Sequence, residues 1–196
     1  MPVYHLAETW QSPPVAGADP VLRTTQYFRV LRELAVQADW VALAETGPSP
    51  LAALTWIGHH IHIINGQLGD ILTDLLSCFE PGQHPSVQIL AAPIAPKARV
   101  DGFCNLQVQP ITLVVDPSRV VPTDWQNLVA HELAHGVART AGHGLGFRQA
   151  LTHLCLAQDL PLPPTVDTDD EVLKYWPPYQ SNPGAEQFWI GRGTLA

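Results

Sequence analysis

Lysine is nearly missing from this chain of 196 residues, with only Lys97 and Lys174 among ten basic residues set against 18 acidic ones. The formal net charge of −8 and the lack of any Lys/Arg cluster argue against a nucleic-acid platform, because phosphate contacts need concentrated positive charge. Cysteine is equally scarce. Cys78, Cys104 and Cys155 show no Cys-x-x-Cys spacing, which suggests neither a zinc ribbon nor a disulfide framework and suits a reducing compartment. No apolar run approaches the roughly 18 residues needed to span a bilayer, and the N-terminus has no basic-then-apolar leader. A cytoplasmic protein without membrane contact is expected.

Proline and histidine are plentiful. Of the 19 prolines, 17 gather between Pro2 and Pro20, Pro81 and Pro122, and Pro161 and Pro183, leaving three windows open to helices. Tyr27, Leu31, Leu34, Ala38 and Val41 step by four and three, which predicts a helix over 24–44. Leu54, Ile57, Ile61, Ile64, Leu68, Ile71 and Leu75 predict a second over 50–79, with Asn65-Gly66 as a break point. Between them and the third window, alternation through Cys104, Leu106 and Val108 and through Ile111, Leu113 and Val115 predicts strands near 86–91, 98–108 and 110–116. The last two are close enough in sequence to pair antiparallel. A helix over 123–141, opened by a capping box at Thr123 and Gln126, and another over 145–157 complete an α+β domain spanning 21–158. Residues 1–20 read as a proline-rich extension without the apolar periodicity to join the core. Residues 159–196, rich in proline and aromatics, read as an extended strap or an interaction tail.

The chemistry lies in the third window. His131-Glu132-Leu-Ala-His135 places two imidazoles four residues apart on one helical face, the spacing for two ligands of one Zn²⁺. Trp125, Val129, Leu133 and Val137 form an apolar stripe on the opposite side. A random match to this pattern, at this content of His and Glu, is expected roughly 0.01–0.02 times. A catalytic zinc needs a third protein ligand and one open position. His143 lies too far along a continuous helix, about 12 Å from His135, so the chain must turn back, and Gly142, Gly144 and Gly146 make a turn feasible. Gly142 is expected to end the helix with positive φ. Glu171, in the acidic run 167–171, is the rival third ligand. His59, His60 and His62 read as a solvated helix face and His153 as a packing or surface residue.

His131-Glu132-x-x-His135 followed by Gly142-His143-Gly144-x-x-Phe147 resembles the SprT-like (Spartan-type) zinc metalloproteases over about residues 85–157. The resemblance implies a zincin-like minimal metalloprotease core, in which a small antiparallel or mixed sheet packs on the active-site helix behind N-terminal helices. It also implies zinc on His131, His135 and His143, Glu132 as general base, and a protein or peptide substrate. The zinc ribbon and basic regions often found in that family do not occur in these 196 residues. An edge strand within 98–108 is expected to hold substrate, and Tyr175, Tyr179, Arg148 and His153 are candidate oxyanion donors. The competing expectation is a non-catalytic, zinc-stabilised interaction module that binds partners through its tail. It has no need of a base at Glu132.

Overall fold

The computed structural model describes residues 6–43, 49–80, 82, 84–164 and 170–192. Its helices are α1 (Leu6–Gln11), α2 (Pro20–Leu34), α3 (Pro50–Leu76), α4 (Trp125–Ala138), α5 (Leu145–Ala157), α6 (Asp170–Leu173) and α7 (Ala185–Phe188). Its strands are β1 (Val87–Ala91), β2 (Gly102–Asn105) and β3 (Ile111–Val115). The architecture is α+β with a small mixed sheet in the order β1-β3-β2. β1 runs parallel to β3, pairing Val87 with Ile111, and β2 runs antiparallel to it, pairing Gly102 with Val115. Every residue of β3 is buried, as befits a central strand. β2 is shorter than the expected 98–108 because a 3-10 turn at Pro96–Ala98 and a left-handed Arg99 (φ 54°) precede it.

The sheet has two differently covered faces. Gly102 and Cys104 face α4, since a Cβ built on Gly102 would meet Glu132 and one built on Gly136 would lie 3.7 Å from the Cys104 sulfur. The alternate residues face the N-terminal helices. Gln88 accepts from the Ala7 amide of α1 and donates to Thr112, Asn105 donates to the Leu34 carbonyl at the end of α2, and Phe103 packs against Trp40.

Helix α2 starts at Pro20, earlier than its apolar stripe suggests, because the Asp19 carboxylate accepts from the Val21 and Leu22 amides at 2.8 and 3.2 Å. It ends at Leu34 and not near 44. Val41 lies on the same helical stripe but forms an antiparallel bridge to Ile94, and the Trp40 carbonyl accepts from the Ala95 amide, so tertiary backbone partners outcompete further helix. Residues 44–48, which include the expected end of that helix, lie outside the described residues.

Helix α3 runs unbroken through Asn65-Gly66. Asn65 is fully buried and directs its side chain away from its own helix, accepting from the Ala91 amide (2.8 Å) and donating to the Trp10 carbonyl and the Tyr27 hydroxyl (both 3.2 Å). Tyr27 donates to the Ala91 carbonyl at 2.6 Å. This network joins α1, α2, α3 and β1 through groups that burial would otherwise leave unsatisfied. It also corrects the expectation that the extension 1–20 does not join the core, as far as residues 6–20 are concerned; residues 1–5 lie outside the described residues. The Trp10 ring is 7% exposed and lies 4.8 Å from the Tyr27 ring, so α1 belongs to the core, anchored by one aromatic that a periodicity count does not register. Where α2 crosses α3, a Cβ on Gly58 would sit 2.0 Å from the Pro20 carbonyl oxygen, and only glycine permits the approach.

After Leu160 the chain follows a strap across α4. Asn127 donates to the Pro178 carbonyl, the Val121 amide donates to the Gln180 carbonyl, Val120 bridges Ser181, and Leu173, Phe188 and Trp189 are buried. Residues 165–169 and 193–196 lie outside the described residues. No described helix is long and apolar enough to cross a membrane.

Candidate metal centre

Helix α4 begins at Trp125, after a 3-10 turn at Pro122–Asp124. The expected capping box is not formed: Thr123 donates to the Asp124 carboxylate, which also accepts from the Gln180 amide, and Gln126 donates to Gln158. The helix is buried on both sides. Trp125, Val129 and Leu133 enter the core as their spacing implies, yet His131 and His135 are also only 8% and 7% exposed, because α5 and the strap cover the face that would otherwise meet solvent.

Each of these imidazoles is oriented by a backbone carbonyl. His131 Nδ1 lies 2.8 Å from the Trp176 oxygen and His135 Nδ1 lies 2.8 Å from the Thr140 oxygen. A carbonyl can only accept, so both Nδ1 atoms carry the proton and both Nε2 atoms present lone pairs, the arrangement in which metal-ligating histidines are commonly held. The turn that supplies the Thr140 carbonyl ends α4 at Arg139 (φ 50°), whose amide donates to the His135 carbonyl. Gly142 has no positive φ, and a Cβ there would meet nothing closer than the Thr140 hydroxyl at 4.0 Å. The expectation that Gly142 ends the helix is thus corrected. The left-handed residue is Arg139, whose side chain is exposed and tolerated there at some conformational cost.

The turn brings His143 back to α4. Its ring centroid lies 5.3 Å from His131 and 5.0 Å from His135, and its Nε2 lies 3.4 Å from His131 Nε2. The candidate ligand atoms of His131, His135 and His143 all lie within 4.8 Å of one another, close enough to hold a metal ion. Two nitrogens on one tetrahedral Zn²⁺ stand about 3.3–3.4 Å apart, so the His131 and His143 pair fits without rearrangement. Phe147 forms an apolar floor, fully buried with its ring 5.1, 4.4 and 4.7 Å from the three imidazoles in turn. Burial pushes His131 down to about 3, which keeps the ring neutral and able to bind metal.

Glu132 is 5% exposed and points towards β2. A Cβ on Gly102 would sit 2.9 Å from its Oε1, so the strand's glycine is what makes room for the carboxyl. Burial first, and the charge of Asp101 second, push Glu132 up to about 8. Asp101 itself accepts from Arg119 at 3.0 Å and from the Tyr179 hydroxyl at 2.9 Å. Histidines, Glu132, β2 and these strap residues share one cleft of about 510 Å³.

Among the other sequence candidates, Tyr175 and Tyr179 line that cleft, whereas Arg148 and His153 do not. His153 packs on Phe79 with its Nε2 3.0 Å from the Cys78 carbonyl. His59 is exposed and His60 stacks on Trp56. Among the described residues the metal-compatible group is His131, His135 and His143. The Glu171 side chain lies outside the described residues. Cys78, Cys104 and Cys155 are free thiols. Sequence reasoning missed Asp101, Gly102 and the Trp176 carbonyl. Asp101 immediately precedes β2 and Gly102 opens it, in a stretch with no motif of its own, and any residue type could have supplied the carbonyl. Comparison with models of known protein families, with curated proteins and with solved structures gives no match.

Proposed function

We propose that this chain is a zinc-dependent metallopeptidase that hydrolyses peptide bonds in a protein or peptide substrate, with Glu132 as its general base. The observation that carries the reading is the placement of Glu132, one residue from His131, buried and aimed into the cleft that three histidines and an edge strand share. A purely structural metal site has no use for a buried carboxyl that is no ligand. Nε2 of His131, His135 and His143 would hold the ion. When bound, zinc supplies a water of lowered pKa and a Lewis acid for the scissile carbonyl. Glu132 accepts a proton at its carboxylate and returns it to the leaving nitrogen. β2 pairs only with β3 among the described strands, which leaves an edge able to hold extended peptide backbone.

A SprT-like, zincin-like core is part of the proposal, supported by the strand-then-helix order before the motif and by the return of His143 to α4. So is a cytoplasmic location, which suits three free thiols. The reading as a tail-based interaction module draws less support, because Phe188 and Trp189 of the tail are buried in the core and a strap carbonyl orients His131.

The test pairs metal analysis with peptide cleavage. The purified chain should hold one zinc, and His131→Ala should lose metal and activity together. Glu132→Gln should keep the metal and lose turnover by on the order of 100-fold or more. Undiminished cleavage by Glu132→Gln would overturn the reading.

A further inference from the structure

The cleft does not end at the metal face of the sheet. It continues round the edge of β2, where Val36 and Trp40 join the histidines and Glu132 as lining residues. The two sides differ in chemistry. On one lie Gly102 and Cys104 with the imidazoles and Glu132, and on the other Phe103 meets Trp40 edge-on at 5.5 Å beside Val36, which is 48% exposed. Phe103 is only 6% exposed and has Val114 as its neighbour on β3, so the layer beneath Trp40 and Val36 is apolar, and the polar pair Asn105 and Thr112 comes two residues further along the same face.

A peptide that adds to the open edge of β2 must obey the period of two of a strand, with successive side chains on opposite faces of the sheet. Side chains of one parity therefore meet the metal face. Those of the other parity meet Val36, Trp40 and Phe103. We propose that this second group forms a specificity pocket, and that the substrate is an extended peptide carrying a large aliphatic or aromatic side chain on the face opposite the scissile bond. The inference rests on the peptidase reading for the identity of the site. It is carried separately by the continuity of the cleft and the alternation of β2.

Binding and cleavage then test different things. Glu132→Gln protein is titrated with fluorescent alanine-based peptides in which one position at a time is phenylalanine, leucine or aspartate, and anisotropy gives Kd. At one register phenylalanine and leucine should bind roughly tenfold more tightly than alanine, the discrimination an apolar pocket gives for a few carbons. That ratio should collapse towards one in Trp40→Ala and in Val36→Asp. The exposed Val36 serves where Trp40→Ala fails to fold. Equal affinity for all guests at every register, or a ratio unchanged by both variants, overturns the pocket. In parallel, wild-type protein loaded with zinc is incubated with the same peptides. Cleavage with no preference for an apolar guest overturns the pocket and leaves the peptidase standing, whereas no cleavage of any peptide overturns the peptidase reading whatever the affinities show.

Discussion

The burial of one imidazole couples the stability of this fold to pH. His131 has a folded value of about 3 because burial disfavours its charged form, against an ordinary 6.5 in the unfolded chain. Between those two values the unfolded state binds more protons, so stability rises with pH and is lost as pH falls from about 6.5 towards 3. Denaturant melts of metal-stripped protein should lose up to about 1.4 kcal/mol per pH unit from this group, and His131→Asn should flatten the slope. Glu132 works in the opposite sense, since its folded value of about 8 lies above 4.5 and stability falls as pH rises between the two. Gly102 provides a second test at this scale. In Gly102→Ala the new Cβ must displace the Glu132 carboxyl or Val115, so turnover should fall by on the order of 10–100-fold with metal content unchanged, as measured by kcat beside metal analysis.

At the scale of elements, the turn between α4 and α5 holds two histidines in register, and its strain sits at Arg139. Arg139→Gly should stabilise the fold by about 1 kcal/mol, and Arg139→Val should cost at least that, because a β-branched residue is poorly suited to positive φ. Gly142→Val should change stability by less than about 0.5 kcal/mol and leave zinc affinity as it is, since the site is open and its φ ordinary. Thermal melts and a chelator competition read both. The contrast shows what the sequence makes legible and what it hides. The histidines of α4, the return of His143, the strands around 111–115 and α5 all follow from spacing, because periodicity and ligand geometry are local properties. The end of α4 does not, because a turn can place its left-handed φ on any exposed residue and glycine is only the statistical favourite. The ends of α2 were hidden for a related reason: Asp19 caps one, and the other yields to a bridge with Ile94, 53 residues away between Val41 and Ile94. Tyr179 could be named from its ring alone, but its anchor on Asp101 spans 78 residues and is a product of the whole fold.

Among the described residues, the strap closes over the candidate metal site. Asn127 on α4 donates to the Pro178 carbonyl, two residues from the Trp176 carbonyl that orients His131. Asn127→Ala removes one hydrogen bond from this seat, a loss of about 1 kcal/mol, so zinc affinity should weaken by up to about fivefold although no ligand has changed. Unaltered affinity by chelator competition would show that the strap holds its place without that contact. The coupling has a reciprocal side. Thermodynamic linkage requires that whatever factor the seated strap adds to metal affinity, bound metal adds to the seating of the strap. Removing the ion with a chelator should therefore loosen a segment 45 residues away from His131 along the chain, and limited proteolysis would register it as faster cutting near residue 176. An ion held by three imidazoles would thus act as a distant latch on the C-terminal segment, and metal supply would govern how long the chain survives.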